Sequence, residues 1–224
     1  MPMRTAVACA LVVVTLGCGT RPEEPARATE VPAGTAASAP STEPDRAHEP
    51  PLPAGVVWPV PHGWRREVIP FPLEFAPRIA GHGVEEIRFA PDFFKPEAPT
   101  FWSYAFVWLL EDAPAVDSSW LEHALVGYFS GLAEAVGGKK YDFDPAHYRA
   151  TLRPATAPSG WRAWQGTFEG YEPFVTGQPL TLHIDARVGD CRARRALLFA
   201  ASPQAPDHEV WARLRELVAA FRCE

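Results

Sequence analysis

Apolar and polar residues alternate along part of the chain with the period of a half-buried β-strand. From position 180 to position 188 every second residue is apolar, and the positions between them are polar: Thr181, His183, Asp185 and Arg187. Because successive side chains of a strand point to opposite faces, this segment is predicted to bury one face and expose the other. The segment 101–110 is apolar on both faces and predicts a central, fully covered strand. Shorter or weaker patterns predict further strands at 64–71, 84–90, 148–153, 161–169 and 195–201.

Two segments have helical spacing instead. The first opens with the capping-box pattern Ser119-Trp-Leu-Glu122 and ends at Gly137-Gly138, with its apolar residues on one stripe. The second begins at Asp207 and also has one apolar face. Both segments are therefore predicted to be amphipathic helices.

The predicted element order is β-β-β-α-β-β-β-β-α, with hairpin turns at positions 160, 177–179 and 189–190. Consecutive strands without intervening helices predict an antiparallel sheet, and the two helices must cover a face of it. Pro70, Pro72 and Pro77 confine the first strand to an edge. The predicted fold class is α+β, an antiparallel sheet covered by two helices.

Aromatic residues divide the chain into a folded part and an N-terminal part. All of them (8 Trp, 13 Phe and 5 Tyr) lie at or after Trp58. A segment without aromatic residues buries too little apolar surface to offset its conformational entropy. We therefore predict a disordered Pro/Ala-rich tether over 19–55 and a single globular α+β domain over 56–224.

Residues 1–18 have the features of an export signal. A short basic start, Met1-Pro-Met-Arg4, precedes an apolar stretch at 6–16. The last two residues of this stretch begin the sequence Thr15-Leu16-Gly17-Cys18. This end resembles the bacterial lipobox, in which a cysteine is lipidated and becomes the new N-terminus, although Thr15 stands where leucine is usual. The resemblance implies a lipid anchor on Cys18 in the cell envelope, in the outer membrane or facing the periplasm if the host has two membranes. An ordinary secretory signal, with Cys18 incidental, is the alternative.

The remaining cysteines agree with export. Cys9 lies within the signal, which leaves Cys191 and Cys223 as an even pair in an oxidising compartment. A disulfide between them would attach the last helix to the sheet. The alternative, a redox pair, would need a CxxC-like spacing that the sequence lacks.

Charge and motif content exclude several classes of function. The net charge of −6 argues against a nucleic-acid-binding protein, which carries a concentrated basic face. The sequence contains no phosphate-binding glycine-rich loop, no nucleophile elbow, no paired CxxC motifs and no His-Glu-x-x-His. No cofactor and no metal site is therefore predicted.

Two pairs of residues remain as candidates for acid–base chemistry. His82 lies between glycines and precedes Glu85, which could supply mixed ligands or a base, but the same pattern describes a plain turn entering a strand. His183 and Asp185 fall on one strand face and could form an acid–base pair, but such polar ladders also coat the solvated side of a sheet. Both alternatives are open for each pair.

Aromatic residues offer a third candidate. Trp102, Tyr104, Phe106 and Trp108 share one face of the predicted central strand, and Trp161 and Trp164 lie on a predicted neighbour. Such rings could stack on sugars, which suggests a glycan in the envelope. Alternatively, they fill the space between the sheet and the helices.

The two ends of the domain, Pro61-His-Gly-Trp64 and the final strand-to-helix unit, resemble the Mog1/PsbP-like fold in element order. The stretches 83–94, 103–108 and 174–179, with Phe221-Arg-Cys223, are similar to a group of uncharacterised bacterial exported proteins. The resemblance implies a fold and no site.

The sequence thus predicts a non-enzymatic exported lipoprotein that binds an envelope protein or a glycan. A small hydrolase or glycan-acting enzyme, with His183 and Asp185 or His82 and Glu85 as catalytic residues, is the alternative, and a purely structural role is also open.

Overall fold

A computed structural model describes residues 51–224, which belong to one unit built on a seven-stranded antiparallel sheet. The predictions for the signal peptide, for Cys18 and for the tether up to residue 50 lie outside the described residues. The sheet order is β2-β3-β4-β8-β7-β6-β5. Its strands are β2 (Arg65–Phe71), β3 (Gly83–Phe89), β4 (Tyr104–Leu110), β5 (Arg149–Ala155), β6 (Trp161–Tyr171), β7 (Pro179–Cys191) and β8 (Arg194–Ser202). The predicted fold class and element order are confirmed.

Two helices pack on opposite faces of this sheet. The helices are α1 (Ser118–Gly137) and α2 (Glu209–Ala220). The apolar side of α1 packs with Phe106 and Trp108 of β4, and the apolar side of α2 packs with the alternate residues Ala105 and Val107. The central strand β4 is therefore buried along its whole length, as its uninterrupted apolar sequence predicted. Within residues 51–224, no helix is long and apolar enough to cross a membrane.

The start of α1 differs from the predicted capping box. The N-cap residue is Asp117, whose side chain accepts a hydrogen bond from the Trp120 amide, so Ser119 and Glu122 lie inside the helix. Aspartate accepts this bond as well as serine does, so the helix begins at Ser118, before the predicted cap at Ser119. The side chain of Glu122 instead accepts a hydrogen bond from the amide of Leu152 in the edge strand β5.

One predicted hairpin turn is misplaced. Gly189 and Asp190 lie within β7, and the turn to β8 follows Cys191, with Arg192 in the left-handed region at φ 57°. Gly189 is a close-packing position, because a Cβ there would lie 2.9 Å from the Trp161 ring. The glycine therefore reflects packing against β6 and not a turn.

Both ends of the described chain are joined to each other. β1 (Val56–Val57) pairs with β9 (Arg222–Cys223), and the predicted disulfide joins Cys191 to Cys223 with their Cα atoms 5.3 Å apart. Cys191 is the last residue of β7, so the bridge attaches the segment after α2 to the sheet, as the sequence predicted.

Replacing both Cys191 and Cys223 with alanine is expected to lower the free energy of unfolding by about 3–4 kcal/mol, because the bridge closes a loop of 32 residues in the unfolded chain. Urea unfolding of the variant and of the reduced wild type should give the same loss. A loss below about 1 kcal/mol in both would show that the bridge constrains the unfolded chain little.

A buried ion network holds the segment 58–64 against the α2 side of the sheet. Glu86 and Arg88 of β3 are fully buried, and Arg88 Nη1 donates to Glu86 Oε2 at 2.8 Å. Arg66 Nε also donates to Glu86 at 3.0 Å. Arg88 further donates to the carbonyls of Trp58 and Pro59, at 2.9 and 3.2 Å, and lies over the Trp58 ring. The charges are thus compensated by several partners, as burial requires.

The two edge strands resist pairing with another chain. On β5, the amide of Leu152 donates to Glu122 Oε1 of α1 at 2.7 Å, and Pro154, two residues on, has no N–H. The opposite edge strand, β2, carries Pro70, as predicted. Proline and covered amides remove the donors that an added strand would need. A binding surface is therefore better sought on a face of the sheet.

Candidate functional site

Half of the sheet face that carries α2 is not covered by either helix of the described chain. α2 packs over β4 and β8, and the neighbouring strands β5, β6 and β7 turn an alternating row of polar side chains outward on the same side. We call this surface the open face. Its residues are Arg149, Thr151, Arg153, Gln165, Thr167, Glu169, Thr181, His183, Asp185 and Arg187.

The predicted candidates His183 and Asp185 both lie on the open face. Their backbone positions pair with Thr167 and Gln165 of β6, respectively. Successive same-face residues of one strand are about 7 Å apart, and no hydrogen bond joins these two side chains in the described structure. They are neighbours in a polar ladder, without the direct contact that orients a catalytic base.

Asp185 has other partners. Burial raises the pKa of its carboxyl, while a hydrogen bond with Gln165 and the charges of Arg215, Arg187 and His183 lower it. Arg215 reaches across from α2, with Nε 3.9 Å from Asp185 Oδ2. Asp185 therefore links the open face to the flank of the helix.

Arginine is the main charged residue of this surface. Arg149 forms a two-oxygen contact with Glu169, at 2.9 and 2.8 Å. Among residues 51–224, no carboxylate lies within ion-pair distance of Arg153, and none within that distance of Arg187. With Arg215 included, the surface has four arginines and two carboxylates. Only the alternation of β7 was visible in the sequence, because Arg153, Gln165 and Arg215 reach the face from other elements.

The second predicted pair, His82 and Glu85, is not brought together. His82 is exposed and bonds to Asp112, through its amide at 2.6 Å and through Nδ1 at 2.8 Å. Hydrogen bonds from His82 lower the pKa of Asp112. Glu85 is fully buried on the α1 side of the sheet. His82 therefore belongs to a turn entering β3, the plainer of the two alternatives.

Glu85 lies in a polar cluster inside the core. Trp108 Nε1 donates to Glu85 Oε1 at 3.1 Å, and the Tyr128 hydroxyl lies against the carboxyl. Burial raises the pKa of Glu85 to about 8, outweighing the opposite effect of these two hydrogen bonds. In the described structure, neither Glu85 Oε2 nor the Tyr104 hydroxyl has a hydrogen-bond partner.

The aromatic candidates belong to the core. Trp102, Tyr104, Phe106 and Trp108 are at most 2% exposed. Trp164 is also buried, and Trp161 packs edge-on against Phe221. The five buried rings therefore fill the core, the second of the two alternatives, and are not available to stack on a glycan, whereas Trp161 is only half-buried.

A polar cleft of about 190 Å³ lies at the β7–β8 turn. Its arginines are already engaged, since Arg194 pairs with Glu111 at 3.3 Å, Arg195 pairs with Asp190 at 3.0 Å, and Arg192 donates to the Glu224 carbonyl. Within residues 51–224, no group of three or more His, Cys, Asp or Glu side chains is placed to hold a metal ion. The open face is therefore the stronger candidate site.

Comparisons with known proteins find a distant likeness to one solved structure. No family model and no curated protein matches the chain. Among solved structures, the chain is similar to LpqN, described as involved in cell envelope biogenesis of Mycobacterium tuberculosis, with 15% identity over 75% of this chain and 80% of that one. The TM-score of 0.30 is too low to support a conclusion on fold or function. The Mog1/PsbP-like fold is not confirmed and stays a prediction.

Proposed function

We propose that this protein is an exported, lipid-anchored envelope protein whose domain is a binding module, and that it binds its ligand on the open face. The observation that carries the proposal is the polar, partly uncovered half-sheet beside α2, which gathers side chains from three strands and one helix.

Export is supported by the cysteines as well as by the N-terminal sequence. The bridge between Cys191 and Cys223 needs an oxidising compartment to form and persist. The sequence 15–18 supplies the cysteine for an anchor, and the long Pro/Ala-rich stretch that follows supplies a spacer between membrane and domain.

Binding is supported by how firmly the open face is held. Two of its three strands, β6 and β7, are paired with neighbours on both sides, which restrains their backbone. Side chains such as His183 and Asp185 are half-buried, which limits the rotamer freedom that a ligand would have to restrict. A surface prepared in this way binds with a small entropic cost.

Replacing Cys18 with serine is expected to release the protein from the membrane fraction, because serine has no sulfur atom to which the lipid could be attached. Fractionation of cells that produce either form, followed by immunoblotting, measures the change. Cys9→Ser, within the predicted signal, is the matched control and should leave the membrane fraction unchanged. A Cys18→Ser protein that stays wholly with the membrane would exclude the lipid anchor.

Ligand binding at the open face can be tested in cells with a photo-crosslinking amino acid at Thr151 or Thr181, both exposed. Adducts are expected from these positions and not from Glu74, an exposed position on the segment between β2 and β3. Equal adduct patterns at all three positions, or none at any, would contradict binding at this face.

A further inference from the structure

The open face has a charge opposite to that of the protein. The whole chain has a net charge of −6, whereas the open face and the adjoining flank of α2 combine four arginines with two carboxylates. Glu169 neutralises Arg149, and Asp185 is shared between Arg215 and Arg187. The local excess of positive charge thus centres on Arg153 and Arg187, and it selects for an anionic ligand.

The spacing of these arginines favours an extended ligand. Arg153 is in register with Asp185 through Gln165, and Arg187 lies one same-face position further along β7. Strands are about 4.8 Å apart and same-face residues about 7 Å apart, which separates the two Cα atoms by roughly 12 Å. Arg149 lies about 13 Å from Arg153 along β5 by the same geometry. At this spacing each guanidinium can bind an anionic group of its own, an arrangement that suits a polymer with repeated charges.

The composition of the face favours a polysaccharide over a protein. Protein interfaces depend on a central cluster of apolar or aromatic anchors, and the centre of the open face is polar. The aromatic residues on the same side of β6 are at its two ends, where Trp161 packs against Phe221 and Tyr171 packs against Phe143 and His147. The open face offers hydroxyl and amide groups instead, from Thr151, Thr167, Thr181 and Gln165. These groups can donate to and accept from the hydroxyls of a hydrated sugar chain.

From this charge, spacing and polarity we infer that the ligand of the open face is an anionic polysaccharide, whose carboxylate or phosphate groups are bound by Arg153 and Arg187. The inference rests on the proposed binding function and names the ligand class of the same face.

The test is binding of the full-length lipidated protein, purified in a non-ionic detergent, to three polymers with one backbone. Carboxymethyl-dextran and dextran phosphate carry the two kinds of anion, and plain dextran is the neutral reference. Both anionic polymers, or one of them, should bind at about 20 mM NaCl and be largely released at about 300 mM, where exposed charges are screened. Plain dextran should not bind. The comparison of the two anionic polymers identifies the preferred group.

The variant Arg153→Gln/Arg187→Gln is expected to bind the preferred polymer about tenfold more weakly, because each of the two exposed charge contacts contributes only part of the binding free energy. The matched control, Arg78→Gln/Arg213→Gln, removes two exposed arginines that are not among the open-face residues and should bind as the wild type does. Urea unfolding of both variants confirms that they are folded.

The outcomes separate the ligand class from the binding function. Equal binding to plain dextran, or an unchanged affinity of the Arg153→Gln/Arg187→Gln variant, would overturn the anionic polysaccharide. If no polymer binds but crosslinks from Thr151 or Thr181 capture a protein, the ligand class is wrong and the binding function stands. If neither experiment gives a signal at the open face, both fall.

Discussion

Replacing Glu85 with glutamine is expected to remove a loss of stability that the wild-type protein undergoes as the pH rises. Burial raises the pKa of Glu85 from 4.5 to about 8, so the folded protein keeps this carboxyl protonated where the unfolded chain has released the proton. The folded state therefore binds more protons between these two values. Its free energy of unfolding falls across that window and levels off above it.

The size of this effect follows from the shift. Each pKa unit corresponds to about 1.4 kcal/mol, so the shift of Glu85 amounts to a loss on the order of 5 kcal/mol between the two limits. Burial is the main reason that the carboxyl stays neutral, and the charge of Glu67 on the neighbouring strand raises its pKa further. The hydrogen bonds from Tyr128 and Trp108 act in the opposite direction but are outweighed.

The measurement is urea unfolding of the wild type and of Glu85→Gln at several pH values between about 5 and about 8, a window set by the shifted pKa. The difference between the two curves should grow in favour of the variant with rising pH. This holds even if the amide loses some stability at every pH, because only the slope is compared. Glu74→Gln, at an exposed position, is the control and should keep the wild-type slope. Parallel curves for wild type and Glu85→Gln would show that Glu85 is ionised inside the fold.

Replacing Arg88 with methionine is expected to lower the free energy of unfolding by about 3–5 kcal/mol, the usual cost of breaking a buried ion pair from one side. The methionine fills most of the space but donates no hydrogen bond. Among the ion-pair partners of Glu86 that the described residues supply, Arg66 remains, and the carbonyls of Trp58 and Pro59 lose the hydrogen bonds that Arg88 donates. The unpaired groups, more than the lost attraction, account for the cost.

This variant should also release the segment that precedes β2. Trp58 is held by Arg88 and by its own Nε1, which donates to the Leu217 carbonyl at 3.0 Å. Limited proteolysis should therefore cut within 58–64 faster in Arg88→Met than in wild type, and urea unfolding gives the loss of stability. Arg78→Met, at an exposed site, is the control. The double variant Glu86→Gln/Arg88→Met should lose less than the sum of its two single variants, because the groups act together. Additive losses, or a loss below about 1 kcal/mol for Arg88→Met, would contradict a coupled network.

Much of the secondary structure could be predicted from local pattern. The alternation from 180 to 188 appears in β7 as buried even-numbered and partly or fully exposed odd-numbered residues. The order of strands and helices is as predicted, because each element has its own period and its own turn or cap signals. Two local predictions were wrong, the N-cap at Ser119 and the turn at Gly189. Asp117 caps the helix in place of Ser119, and Gly189 is a glycine because the Trp161 ring packs against it.

The candidate site was only partly predictable. The sequence placed His183, Asp185 and Arg187 on one face, but Arg153, Gln165 and Arg215 join them through pairing and packing of distant segments. His82 and Glu85 are close in sequence and point to different environments, because one precedes the strand and the other lies inside it.

The sequence by itself determined which residues share a face of the sheet, the order of the elements and the pair of cysteines available for a bridge. Glu85 and Glu86 were bound to point to opposite faces, since neighbours on a strand always do. Only the tertiary structure decided what covers each face. It buries Glu85 under α1 and Glu86 under the segment 58–64, where Arg66 and Arg88 pair with it. It leaves the face of His183 uncovered by either helix of the described chain. Alternation is a local property of a strand, whereas cover depends on where helices and termini pack after the distant strands have paired.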